Sequence, residues 1–166
     1  MVLDKPIYQL TIMELIDVVQ DDIAWLKEDI KAGKVKNRYI AQAYVDKLND
    51  FLTLDYFKGG TYQNVRQILG NLKFFLQDSK DQADILERKI EDVKRIKKMN
   101  LQMSLFGDGY LLSEKEIQRA LKEPEAFIVE LKEKLEGRKK DYKLAKFCMA
   151  YLVNHNNFFQ KLYGRK

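Results

Sequence analysis

Residues 65–97 read VRQILGNLKFFLQDSKDQADILERKIEDVKRIK, and this stretch decides the fold class. Val65, Leu69, Leu72, Leu76, Ser79, Ala83, Leu86, Ile90, Val93 and Lys97 follow an unbroken alternation of four- and three-residue steps. Such a repeat keeps one row of side chains on one helix face, the pattern of helices that pack along their length. The spacing predicts a helix over residues 62–99, roughly 55 Å long at 1.5 Å per residue. Ser79, with Gln82 three residues later, offers an alternative helix start and a hairpin. The repeat keeps its phase there, which favours a continuous rod.

The flanking sequence has the same character. Thr11 and Glu14 form a T-x-x-E capping box, in which hydroxyl and carboxylate each satisfy a free backbone N–H. Ile12, Ile16, Val19, Ile23, Leu26 and Ile30 then make an apolar seam that ends near Gly33. A second helix is expected from about Asn37 to Tyr56, with Ile40, Tyr44, Leu48 and Phe51 on one side. Gly59-Gly60 closes it, and Thr61 is placed to cap the next. Beyond the long repeat, Ser113 to Glu116 form another capping box. The short helix it starts stops before Pro124, which suits the first turn of a last long helix. There Ile128, Leu131, Leu135, Tyr142, Ala145, Met149 and Leu152 give another seam, followed by an aromatic tail of Phe158, Phe159 and Tyr163. The expected architecture is all-α: one domain over 1–166, a helical bundle with a long antiparallel, coiled-coil-like hairpin.

Composition narrows the function. The 166 residues are 46% hydrophobic and 33% charged, enough for a core with a solvated surface. One cysteine, Cys148, and one histidine, His155, leave no disulfide framework and no Cys/His zinc site. His155 stands among asparagines with no nucleophile motif nearby, and reads as exposed or capping. Cys148 lies between Phe147 and Met149 and reads as a small core residue. Asp21-Asp22 and Glu28-Asp29 read as parts of charged helix faces. Gly59-Gly60 lacks the Lys-Ser/Thr of a phosphate loop. These readings predict no enzyme, no metal and no cofactor. No uncharged run approaches the roughly 20 residues of a membrane span, and the first residues lack a secretory pattern, so a cytoplasmic protein is expected.

Charge is unevenly spread. The net +5 combines −2 over residues 1–60 with a basic remainder. Two windows stand out. Arg88, Lys89, Lys94, Arg95, Lys97 and Lys98 face only Glu91 and Asp92, and Arg138, Lys139, Lys140, Lys143 and Lys146 face only Asp141. An antiparallel hairpin would set the two windows at similar height, where they could bind DNA or RNA phosphates by charge and counterion release. The alternative is two solvated faces laced with Glu–Lys pairs.

Residues 100–112 lack helical periodicity, contain Gly107 and Gly109, and are expected to form an exposed interaction loop. Within them, Gln102-Met103-Ser104-Leu105-Phe106 resembles the short peptide with which bacterial replication and repair proteins bind the sliding clamp. That pattern is Gln, a small or aliphatic residue, Ser or Asp, Leu, and Phe, and all five positions fit. The resemblance covers five residues of the chain and carries no information on the rest of the fold. It implies a bacterial sliding clamp as partner, with Leu105 and Phe106 entering an apolar pocket, Gln102 hydrogen-bonding at its other end, and Ser104 fixing the local turn.

The leading expectation is therefore a non-enzymatic bacterial, phage or mobile-element adaptor or inhibitor of the replicative clamp, with DNA contact through the basic helices. Two other readings stand beside it: a nucleic-acid-binding helical subunit of a ribonucleoprotein or replication complex, and a homo-oligomerisation module built on the 65–97 heptads.

Overall fold

The computed structural model describes residues 5–54, 57, 62, 64–99 and 111–163. Its elements are α1 (Ile12–Lys31), α2 (Arg38–Leu52), α3 (Val65–Met99), α4 (Glu114–Lys122) and α5 (Pro124–Val153), with short 3-10 turns at Ile7–Gln9, His155–Asn157 and Gln160–Leu162. Among the described residues, the β-type pairing recorded is a single bridge between Thr11 and Asn64. The protein is all-α and built of packed helices. No described helix is long and apolar enough to cross a membrane.

The helix starts follow local chemistry. Thr11 Oγ1 accepts the Glu14 N–H at 3.1 Å while the Glu14 carboxylate accepts the Thr11 N–H at 2.9 Å. Ser113 and Glu116 repeat this exchange at α4, at 3.2 and 2.9 Å. Asn37 caps α2 by accepting the Tyr39 and Ile40 N–H groups. At α3, Asn64 and Gln67 exchange hydrogen bonds at 3.1 and 3.4 Å. The expected cap Thr61 lies outside the described residues. α3 runs through Ser79 without a break, as the unbroken phase of its repeat predicts.

The chain divides into two compact units, Met1–Phe75 with Lys143–Lys166 and Leu76–Tyr142. In the first, Leu15, Val19, Ile23 and Leu26 of α1 are buried together with Ala41, Val45, Leu48 and Phe51 of α2. The α1 seam is thus rotated from the expected one: Leu15 and Asp22 are buried, whereas Ile12, Ile16 and Ile30 are only half-buried. Ile40, expected in the core, is 50% exposed because the α2 stripe lies one position further round, on Ala41. Val65, Ile68 and Leu72 of α3 and Ala145, Cys148, Tyr151 and Leu152 of α5 complete this core. Gly33, at φ +73°, turns the chain between α1 and α2, a conformation that a Cβ would strain.

The aromatic tail folds back onto this unit. Phe159 meets Trp25 edge-on at 5.4 Å, Tyr163 stacks on Trp25 at 5.7 Å, and Phe158 packs near Tyr44, Phe147 and Tyr151 at 5.0–5.4 Å. Each such pair adds about 0.5–1.5 kcal/mol beyond the area it buries.

The second unit has its own core. Ile90, Val93 and Ile96 of α3, Leu112, Ile117 and Ala120 around α4, and Phe127, Leu131 and Leu135 of α5 pack together. The buried stripe of α3 passes through Ile96, and the expected seam position Lys97 is exposed. Ion pairs join Lys97 to Glu125 at 2.7 Å and Lys139 to Glu87 at 3.9 Å. Rising positions on α3 therefore meet falling positions on α5, so the two segments run antiparallel within this unit.

Candidate functional site

The clamp-like residues Gln102, Met103, Ser104, Leu105 and Phe106 lie outside the described residues. The structure does define both ends of the segment that carries them. α3 delivers the chain at Met99. At the other end, the Leu111 N–H donates to Asp92 Oδ2 at 2.9 Å, Leu112 is buried in the second unit's core, and Ser113 caps α4. Residues 111 and 112, expected in the exposed loop, thus belong to its anchor, because a buried leucine and a buried carboxylate hold them.

Asp92 sits one position before Val93 on the inner side of α3 and is 5% exposed. A buried carboxylate needs donors, and it receives two: the Leu111 N–H on one oxygen and the Arg95 guanidinium on the other. Beside it, Lys89 pairs with Glu116 at 3.2 Å, linking α3 to the cap of α4. Burial alone would raise Glu116, but the Ser113 N–H and the Lys89 ammonium outweigh it and hold the carboxyl below its ordinary value.

Of the two basic windows, Arg88 and Lys89 come to the height of Arg138, Lys139 and Lys140, where Lys139 meets Glu87. Lys97 meets Glu125, fourteen residues before Lys139 on α5, so Lys94, Arg95, Lys97 and Lys98 lie further along the unit. The expected meeting of the windows is only partial. Arg88, Lys89, Lys94, Arg95, Lys97 and Lys98 lie on α3, and Arg138, Lys139 and Lys140 lie on α5 of the same unit; Lys143 and Lys146 belong to the other unit. Carboxylates meet many of these cations. Lys94 pairs with Glu91, Arg95 with Asp92, Lys97 with Glu125, Arg138 with Asp141 and Lys139 with Glu87. The second unit as a whole carries fifteen basic and fifteen acidic residues. The excess seen in each linear window is offset by acidic residues elsewhere in the unit, several of them on facing helices.

A third cluster escaped the sequence reading. His155 is 5% exposed and Asp22 fully buried, correcting the expectations of an exposed histidine and a charged helix face. The Tyr151 hydroxyl donates to Asp22 Oδ2 at 2.6 Å, and His155 Nε2 lies 2.7 Å from the same oxygen. Burial, then the neighbouring Asp22 carboxylate, pushes the Tyr151 phenol well above its ordinary value. Asp22 Oδ1 and His155 Nδ1 have no hydrogen-bond partner among the described residues. The signal was available: Asp22 occupies the 15/19/22/26 core register of α1, and Tyr151 and His155 stand one helical turn apart.

Chemically, this cluster ties the end of α5 to α1 inside the first unit. Cys148 is buried nearby on α5, and burial pushes its thiol above the ordinary value, away from the thiolate form that attacks or binds metals. A cleft of about 630 Å³ opens beside His155, lined by Ile7, Tyr8, Leu69, Val153 and Asn154 among others. Among the described residues, no group of three or more His, Cys, Asp or Glu side chains is placed to hold a metal ion.

Comparison with protein-family models, with curated proteins and with solved structures finds no match in any of the three.

Proposed function

We propose that this chain is a non-enzymatic adaptor that binds a bacterial sliding clamp through Gln102, Met103, Ser104, Leu105 and Phe106, and thereby recruits a factor to the clamp or blocks access to it. The observation that carries the reading is the fit of all five residues to the clamp-binding pattern within a segment whose two ends are fixed on one helical unit.

Chain geometry supports it. Asp92 lies seven residues before Met99, about 10 Å back along α3 at the helical rise. The twelve steps from Met99 to Leu111 can reach about 40 Å when extended. The connection therefore contains several times the length needed to close the gap, leaving ample chain to present a peptide in extended form. Fixing both ends reduces the conformational freedom lost on docking. Burying Leu105 and Phe106 in an apolar pocket would contribute about 1.5–3 kcal/mol each.

The test is calorimetric titration of the whole protein into a purified bacterial sliding clamp. Wild type should bind. The variant Leu105→Ala/Phe106→Ala should bind at least about tenfold more weakly, given the side-chain burial it removes. Equal affinity of the two proteins, or no binding by either, would refute the proposal.

A further inference from the structure

The net charge has a different location from the one the linear windows indicate. The first unit holds fifteen basic residues against ten acidic ones, so it carries the whole +5. Within it, residues 30–45 read IKAGKVKNRYIAQAYV, with Lys31, Lys34, Lys36 and Arg38 and not one carboxylate. All four cations are exposed.

The fold gathers them. The left-handed Gly33 folds the chain back between α1 and α2, and the Lys34 N–H donates to the Asp29 carbonyl at 2.9 Å. The Lys36 N–H donates to the Leu162 carbonyl at 2.7 Å, which brings the exposed Lys161 to the same corner. Among the described residues, none of these five cations forms an ion pair. Of the nearest carboxylates in sequence, Glu28 and Asp29, the second is engaged by the Tyr163 hydroxyl at 2.7 Å. On the first turn of α2, Tyr39 is 74% exposed, and the Arg38 guanidinium lies 5.3 Å from its ring centroid.

We infer that the α1–α2 corner is a binding surface for single-stranded nucleic acid, in which Lys31, Lys34, Lys36, Arg38 and Lys161 meet phosphates and Tyr39 stacks on a base. Unpaired cations around an exposed ring are the two components such surfaces combine: charge that follows the backbone and a flat face that any base can cover. An anionic lipid surface fits less well. Cations alone hold such a surface weakly; firmer attachment adds an apolar helix face free to insert, and the apolar stripe of α2, Ala41, Val45, Leu48 and Phe51, is already buried in the core. The surface lies in the other unit from the ends of the clamp-like segment, so either assignment can fail alone.

Fluorescence anisotropy with a labelled oligothymidylate, at increasing salt, tests the inference. Wild type should bind with an affinity that falls as salt rises. Lys34→Gln/Lys36→Gln/Arg38→Gln should lose at least about tenfold in affinity and about two units of the log–log salt slope, at about 0.7 per phosphate contact for single strands. Tyr39→Ala should weaken binding to the single strand while leaving binding to a duplex unchanged. Arg88→Gln/Lys98→Gln/Lys140→Gln, on the second unit, should bind as wild type does. All these positions are exposed or half-buried at most, and circular dichroism checks that each variant is folded. An unchanged affinity and slope in the first variant would overturn the inference. So would absence of oligonucleotide binding, including the case in which the protein binds phosphatidylserine vesicles instead.

Discussion

Asp92 reaches nineteen residues along the chain to hold Leu111, its Oδ2 accepting the Leu111 backbone N–H at 2.9 Å. One buried carboxylate thus closes the connection that carries the clamp-like peptide. Asp92→Ala would leave that N–H without its partner and would remove the carboxylate that the Arg95 guanidinium meets. The loss should be at most about 1.5–3 kcal/mol of stability, the usual worth of a hydrogen bond to a charged group, because the bond is only part-buried. Asp92→Asn keeps an acceptor and should lose less. Urea denaturation of the two variants, fitted with a common slope, measures the difference.

The Asp22 cluster makes a second graded series. Tyr151→Phe removes one donor and keeps the ring, and should cost about 0.5–1.5 kcal/mol. Asp22→Ala removes the acceptor of both Tyr151 and His155, and should cost more, about 1–3 kcal/mol for each group left unpaired. Equal stability of Asp22→Ala and wild type in chemical denaturation would show that the cluster contributes nothing.

Ser79 should behave in the opposite sense. It is fully buried in the middle of α3, and its hydroxyl has no partner among the described residues. Ser79→Ala removes a buried hydroxyl and supplies a better helix former, so it should stabilise the protein by about 0.5–2 kcal/mol. A rise in melting temperature is expected, and a fall would show that the hydroxyl is hydrogen-bonded.

Acid stability follows from Glu116. Its folded-state value is lowered: burial opposes the charge, but the Ser113 N–H and Lys89 favour it more strongly. The unfolded chain therefore binds more protons than the folded one around and below the ordinary value of 4.5. The stabilisation is present above that value and is lost as pH falls through the lower folded-state value. Glu116→Gln can still cap α4 but cannot titrate. It should flatten the loss of stability between about pH 5 and pH 3, measured by thermal melts across that range.

Much of this architecture is legible in the sequence because it rests on local rules. Thr11/Glu14 and Ser113/Glu116 are reciprocal caps whose spacing alone places a helix start, and the steps from Val65 to Val93 keep α3 in phase through Ser79. Less visible was which face each helix turns inward. On α1 the hydrophobic sequence supports two overlapping registers, and the buried one contains Asp22 because Tyr151 and His155, far away in sequence, supply its donors. The same non-local effect governs charge. Lys89 and Lys97 stand in a basic window, yet Glu116 and Glu125 arrive from α4 and α5 to pair with them. The cations between Lys31 and Arg38 are masked in the sequence by a segment that is net acidic over residues 1–60. What gathers them is the turn at Gly33 and a non-local bond from the Lys36 N–H to the Leu162 carbonyl, which adds Lys161 from the other end of the chain.

The most direct test of the central claim is peptide displacement. A labelled peptide spanning residues 99–110 is bound to a bacterial sliding clamp, and the intact protein is titrated in. Binding through Gln102–Phe106 predicts that wild type releases the peptide and that Leu105→Ala/Phe106→Ala does not. A labelled peptide that fails to bind the clamp, or one that stays bound while the protein saturates the clamp, would contradict the account.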